Sequence, residues 1–497
     1  MEEKADILLH GDWQQFGDHF WRGYAWRDGQ AWTPAAYRGE ELADFLPGLN
    51  GCFSWVGRTR TSIFGVCDRL GSYPLYYGKG IITDRLLPEQ LDINWQWLRL
   101  RTWHYVEALP GNRTLDDAFH SLSPDHWLEW PRGQAPFVKK LHRSQQVIKQ
   151  QTGDSFYANV RNICQRLINH ANGRTIVILL SDGYDSRLLL AALHQLQCPN
   201  LVAATYGIRG NEVVEKAQSI ADRLGVPFYF IDYANPEHRD FMQQAYPELV
   251  SRCSNGQSVP QEQELYAAHE LRKLVSADSI LVPGISGDLQ AGSYVPPYSF
   301  RWPFNRRAKA LKRWLRTRLT RLPAIGNVTS FWERELKLGS HTNSEWSAVH
   351  ACEDIIVEER LSKYLCTTLR GYELAGFAWY LPLWDSHFID FWQRQPIEAR
   401  RYRKNYRAWC KQYFFSPLGV HFAGEGEKPR VHWGRIIRRF LPYGNRLAGG
   451  VPDPNQFSVT IAPLVGKEVP PTEVNTALGD WLIEYYSRQE NVDHKVE

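Results

Sequence analysis

The clearest alternation of apolar and polar positions lies between residues 175 and 232. The unbroken apolar run Ile176-Val177-Ile178-Leu179-Leu180 stops at Ser181-Asp182-Gly183-Tyr184-Asp185-Ser186, and a leucine-rich segment follows at once. Short runs of β-formers predict strands over 175–180, 201–206 and 227–232, and helical periodicity predicts helices over 186–196 and 211–224. Strand and helix alternate, so the pattern predicts a doubly wound parallel sheet covered by helices, with ligands at the carboxyl ends of its strands. A further apolar run in 279–283 ends in Gly284-Ile285-Ser286-Gly287-Asp288.

The first third reads differently. Strand-like runs at 49–57, 61–68 and 74–78 lie at short spacing, which predicts an antiparallel β-rich layer. Residues 111–119 predict a helix start capped by Thr114, with Asp116 and Asp117 in its first turn, and 122–130 a turn into a strand. A polar, helix-like stretch from Arg143 to Asn172 leads into the alternating region. The fold class is therefore α/β, with a β-rich unit over 1–140 and a parallel-sheet unit over 145–497.

At 497 residues the chain is too long for one core. Its net charge of +4 does not point to nucleic acid. No run of about 18 apolar residues predicts a membrane span, and the N-terminal MEEKADILLHGDW lacks a signal peptide's apolar core. A cytoplasmic protein is expected. Its eight scattered cysteines, without a CxxC pair, are expected to be reduced and mostly buried. One segment, 301–321, carries Arg306, Arg307, Lys309, Lys312, Arg313, Arg316, Arg318 and Arg321 opposite Leu311, Trp314, Leu315 and Leu319. Such a helix makes peripheral contact with an anionic membrane, binds a phosphate-rich substrate, or lies as a charged surface over a core.

A strand, a tight polar turn and a helix together set free N–H groups and the positive end of a helix dipole against a phosphate. The turn Ser181–Ser186 resembles the SGGxDS pyrophosphate loop of the ATP pyrophosphatases, with Asp182 where a second glycine is usual. The resemblance implies an adenine nucleotide α-hydrolase-like fold that binds ATP through Leu180, Ser181, Gly183, Asp185 and Ser186, with Asp185 holding Mg²⁺. Three more segments resemble the synthetase domain of the asparagine synthetases. Gly284–Asp288 resembles the SGEG.DE motif, which implies that Ser286 and Gly287 meet the nucleotide and that Asp288 acts where a glutamate is usual. Ala291 stands at that motif's second, metal-binding carboxylate. Tyr206 and Gly207 occupy the strand end that would cover the adenine. Leu381-Pro382-Leu383-Trp384-Asp385 resembles a structural turn into a helix. In the basic run 400–407, Lys404 is the candidate for the cation that stabilises charge on the phosphate, with Arg403 as the alternative.

The N-terminal region resembles the class II glutamine amidotransferase domain of the same family, an Ntn-hydrolase-like fold. The resemblance rests on Leu49-Asn50-Gly51-Cys52-Phe53, Asp68-Arg69-Leu70-Gly71-Ser72-Tyr73-Pro74-Leu75-Tyr76-Tyr77 and Arg113-Thr114-Leu115. That domain uses an N-terminal cysteine, whereas this chain begins Met1-Glu2-Glu3, and Cys52 sits in an expected strand. A glutaminase fold without glutaminase activity is therefore expected. The family implies an AMP- and pyrophosphate-forming amide ligase using ATP and Mg²⁺. Details such as SDGYDSR look closest to the relatives that amidate a uronic acid sugar during surface-polysaccharide (O-antigen) assembly. Ammonia would come free or from a separate glutaminase. Two alternatives stay open: an intramolecular amide synthetase or peptide cyclase, and a non-catalytic ATP-binding scaffold.

Overall fold

The computed structural model describes residues 5–94, 108–142, 150–296, 310–312, 314–315, 318–319, 344–422 and 474–493. Within residues 5–142 lie β1 (Asp6–Leu8), β2 (Gln14–Phe16), β3 (His19–Arg27), β4 (Gln30–Trp32), β5 (Asn50–Arg58), β6 (Ser62–Cys67), β7 (Tyr76–Gly78), β8 (Ile81–Thr83), β9 (Phe119–Ser121), β10 (His126–Pro131) and β11 (Phe137–Lys140). They form one sheet in the order β11-β10-β6-β5-β3-β2, with β4 also on β3, and a second in the order β1-β8-β7-β9. Every pairing is antiparallel except β1 with β8.

The β5 run reads as almost continuously apolar because both its faces are covered. Trp55 packs with Trp21, Trp32, Phe45 and Phe64 on one side, while Val56 joins Cys67, Leu75 and Ile82 between the sheets. Burying each large side chain contributes roughly 1.5–3 kcal/mol. Cys52, 1% exposed on β5, is a core residue, and burial holds its thiol well above the ordinary value. Asp68, in the Asp68–Tyr77 motif, is a buried knot: it accepts hydrogen bonds from the N–H groups of Phe53, Leu70, Gly71 and Ser72 and from the Ser72 hydroxyl.

The helix start expected at 111–119 does not form. Thr114 Oγ1 instead accepts from Asp116 N in a turn, and β9 begins at Phe119. Leu115 shows why. Its N–H donates to Gly256 O and its carbonyl accepts from Asn94 N, so tertiary partners take the groups a helix would need.

The second region is built on a parallel sheet in the order β14-β13-β12-β15-β16, from β12 (Ile176–Leu179), β13 (Leu201–Gly207), β14 (Phe228–Asp232), β15 (Ile280–Pro283) and β16 (Ala378–Trp379). The helices used below are α1 (Gly153–Ala171), α2 (Tyr184–Gln195), α3 (Glu212–Leu224), α4 (Glu237–Cys253), α5 (Leu265–Leu271), α6 (Thr367–Leu374), α7 (Ser386–Gln393) and α8 (Lys404–Cys410). Along β12, Ile176 and Ile178 enter one core while Val177 and Leu179 enter the other, so both faces are dry. The chain runs from β12 outward through β13 to β14, then returns to the other side of β12 as β15. The strand order therefore reverses between β12 and β15, and a crevice opens at their carboxyl ends.

The two regions meet along a hydrogen-bonded seam. Ser386 N donates to Asn50 Oδ1 at 2.7 Å, Leu381 N to the Tyr24 hydroxyl at 2.9 Å, and Leu109 N to Gln257 O at 2.8 Å. The segment Leu381–Asp385 is the expected turn into a helix, with Asp385 capping α7 through His387 N. Of the basic run, Arg306, Arg307, Lys309, Arg313, Arg316 and Arg321 lie outside the described residues. Its apolar members Leu311, Trp314, Leu315 and Leu319 are buried in the core, which leaves that face unavailable to lipid. Among the described residues no helix is long and apolar enough to cross a membrane. All eight cysteines are free thiols, seven of them buried.

Candidate active site

The crevice at the switch point is an open cavity of about 400 Å³. Two short loops form its floor. Ser181–Gly183 follows β12 and ends in α2, whose N-cap, Gly183, supplies no capping side chain. The positive end of α2 therefore faces the cavity. Ser181 N donates to Ser186 Oγ at 3.1 Å, and Gly183 N to Ser181 Oγ at 3.2 Å, which holds the turn tight. The second loop, after β15, presses against the first. A Cβ on Gly284 would stand 2.6 Å from Ser186 N, so only glycine permits the approach.

The approach brings two carboxylates together. Asp288 N donates to Asp185 Oδ2 at 3.0 Å, and both side chains line the cavity. Ser286 stands at φ +60°, a left-handed conformation costing roughly 1–2 kcal/mol, and so turns the chain to bring Asp288 round. Burial, and then the charge of Asp288, raise the Asp185 carboxyl; Tyr406, donating to Asp185 Oδ1 at 2.6 Å, opposes this. Burial also raises Asp288, against the pull of Arg403, whose Nη1 lies 3.3 Å from Asp288 Oδ2.

Of the site residues expected from sequence, Leu180, Ser181, Gly183, Asp185, Ser186, Tyr206 and Asp288 all line this cavity. Gly207, Ser286 and Gly287 do not line it: Gly207 O accepts from Tyr233 N, and Gly287 packs against Leu383. Lys404 lies apart from the lining. It is exposed at the start of α8, whereas Arg403 lines the cavity. Tyr402 and Arg403 are consecutive left-handed residues, at φ +58° and +60°, and this reversal turns Arg403 to Asp288. Asp182, the departure from the glycine pattern, is outside the lining and lies 3.8 Å from Lys216 on α3, which draws its charge aside. Ala291 is fully buried among apolar residues, so nothing at that position can supply a second metal carboxylate.

Further cavity residues carry no motif. Glu264, beside α5, accepts the Tyr206 hydroxyl at 2.8 Å and also the Tyr372 hydroxyl, which fixes the wall at the end of β13. Thr205, Val213 and Ile285 complete that wall. Tyr406 was within sight of sequence reasoning, three residues beyond Arg403 in the basic run; Glu264 was not, because its loop has neither periodicity nor a motif.

Chemically, the arrangement can hold a polyanion against a helix terminus, with one arginine and two carboxylates at its edge. Mg²⁺ fits this donor set. Two part-buried carboxylates, both raised by burial and one of them, Asp185, also by the charge of the other, are relieved by a divalent cation, and Mg²⁺ takes one or two carboxylates plus phosphate oxygens. Among the described residues no group of three or more His, Cys, Asp or Glu side chains forms an all-protein metal cage, so the remaining ligands would be phosphates and water. No protein-family model matches the chain, and no curated protein is significantly similar to it.

Proposed function

We propose that the chain is an ATP-dependent amide-forming ligase of the asparagine synthetase type, adenylating a carboxylate and passing ammonia to it. In this reading the parallel sheet is a pyrophosphate-loop ATPase fold, and the β layers are an Ntn-hydrolase-like unit serving as a docking partner. The observation that carries it is the meeting of the Ser181–Ser186 turn, the N-terminus of α2 and the Asp185–Asp288 pair at one strand-order reversal.

The β- and γ-phosphates of ATP lie on the Ser181–Ser186 turn, where N–H groups and the α2 dipole offset their charge. The adenine lies against Thr205 and Tyr206, whose ring is held by Glu264 and stacked on Tyr233 at 5.3 Å. Mg²⁺, held by Asp185 and Asp288, would neutralise the departing pyrophosphate. The substrate carboxylate attacks the α-phosphorus, pyrophosphate leaves, and an acyl-AMP remains. Ammonia then attacks the acyl carbon and expels AMP. Arg403 sits where charge on the α-phosphate would be stabilised, and Asp288 is placed to take the proton lost by the attacking nitrogen.

The substrate class we propose is a sugar-linked uronic acid of surface-polysaccharide assembly, converted to its uronamide in the cytoplasm. The test is AMP and pyrophosphate formation from Mg-ATP and ammonium, with UDP-N-acetylhexuronic acids and aspartate as competing acceptors. Release that depends on the uronic acid and on ammonium is expected. Release with aspartate alone would return the chain to asparagine synthesis, ammonium-independent release would favour an intramolecular amide synthetase, and silence with every acid would favour a binding role.

A further inference from the structure

The hydroxyl that reaches the carboxylate pair comes from inside a core. Tyr406 on α8 is fully buried, with its ring edge-on to Phe156 of α1 and Trp392 of α7, at 6.1 and 5.8 Å between centroids. Tyr184 stands beside it at 6.2 Å. Packing on these sides fixes the ring, and with it the place of the hydroxyl. That hydroxyl donates to Asp185 Oδ1 at 2.6 Å and has no other partner among the described residues. Asp185 Oδ2 accepts from Asp288 N at 3.0 Å. One donor on each oxygen holds the carboxylate in a single orientation, with further lone pairs left for a ligand in the cavity that it lines.

The same turn of chain holds Asp288. Arg403 is the N-cap of α8 and Tyr406 stands three positions on, so one turn carries a donor to each member of the pair. The two donors differ in kind. The Arg403 side chain is 28% exposed and can swing on its flexible stem, whereas Tyr406 cannot move without opening the core. Packing alone does not call for a phenol here, because phenylalanine would fill the same space. Ala291 supplies no carboxylate, so a divalent cation depends on the directions in which Asp185 and Asp288 point.

We propose that Tyr406 is a positioning residue that presets Asp185 for a divalent cation shared with Asp288. The inference rests on the ligase reading for the cation's presence at this pair. With the hydroxyl in place the carboxylates stand converged before the ion arrives, so binding does not have to draw two like charges together. Without it, Asp185 keeps only the Asp288 N–H, and repulsion between the carboxylates turns it aside. Part of the cation's binding energy then goes into restoring the geometry.

The test is Mn²⁺ binding to the full chain, read from the free-ion electron paramagnetic resonance signal, in wild type, Asp185→Asn and Tyr406→Phe. Mn²⁺ stands in for Mg²⁺ because both favour carboxylate and water oxygens. Binding that Asp185→Asn removes belongs to the pair. Tyr406→Phe keeps the ring and loses only the donor, and an unchanged near-ultraviolet circular dichroism spectrum confirms that its core is intact. It is expected to weaken that binding by about tenfold. The Mg²⁺ dependence of AMP formation should shift by the same factor, with the loss in the KM for Mg²⁺ rather than in kcat. Equal Mn²⁺ affinity in wild type and Tyr406→Phe would overturn the positioning role and leave the pair a metal site. Wild-type binding indifferent to Asp185→Asn would overturn it together with the metal's part in the ligase reading.

Discussion

Two aspartates, Asp68 and Asp185, each stand in a motif that follows a strand, and they do opposite things. Asp68, in the β layers, is closed on every side by four backbone N–H groups and a hydroxyl. Asp185, beyond the parallel sheet, faces a cavity with another carboxylate beside it. Burial pushes the Asp68 carboxyl up to about 6 against all those donors, while Asp185 is raised by burial and by Asp288 together. A carboxylate whose donors are all internal builds a fold. One left against its own kind is poised for a cation or a proton. The same contrast separates Cys52, enclosed on β5, from a nucleophile that must be reached.

Substitution at each aspartate should split stability from activity. Asp185→Asn is expected to lower AMP formation from ATP by about a thousandfold. It should also raise the unfolding midpoint without metal, since it removes a repulsive pair. Activity near wild type would remove Asp185 from the site. Asp68→Ala should do the converse, costing about 3 kcal/mol in denaturant unfolding because several buried N–H groups lose their acceptor. A cost near zero would mean that the knot is not structural.

The cation at the cavity edge provides a finer test. Arg403→Gln is expected to reduce amide formation about a hundredfold, whereas Lys404→Gln stays within about twofold of wild type. Quenched-flow separation of adenylate from amide should place the Arg403 loss mainly in the second step. The reverse ranking would show that α8 turns when substrate binds, bringing Lys404 inward.

The smallest expected effect is a pH dependence. The folded pKa values of Asp185 and Asp288 lie above the ordinary value of 3.8. The stability this pair contributes is therefore complete below that value and lost as pH rises through the raised folded values. Mg²⁺ should reverse the loss, so the melting-temperature increase on adding Mg²⁺ is expected to be larger near pH 8 than near pH 5. An Mg²⁺ effect independent of pH, or equal in Asp185→Asn, would remove the metal from this pair.

Much of this arrangement was legible in the chain because it is local. The run Ile176–Leu180 and its neighbours have the length and composition of buried strands, and segments 186–196 and 211–224 those of covering helices. Both form at the expected places. The meeting of the Ser181 turn with the Gly284 loop follows from parallel strands whose carboxyl ends share one edge. Local pattern failed where long-range partners intervened. Residues 111–119 have a helix's capping residues, yet Leu115 bonds to Gly256 and Asn94. Arg403 rather than Lys404 reaches the cavity because two left-handed residues reverse the chain, and non-glycine residues rarely signal that conformation in advance.

The amino-acid sequence by itself determined the two kinds of layer, the parallel sheet and the turn that ends β12, because hydrophobic period and turn chemistry act over a few residues. Only the tertiary structure decided which charges meet. Asp288 came to Asp185 from 103 positions away, Glu264 to Tyr206 from 58, and Arg370 to Ser72 from 298. Such pairings depend on how strands are ordered and how regions dock, and a side chain's partners across that distance leave no periodic trace.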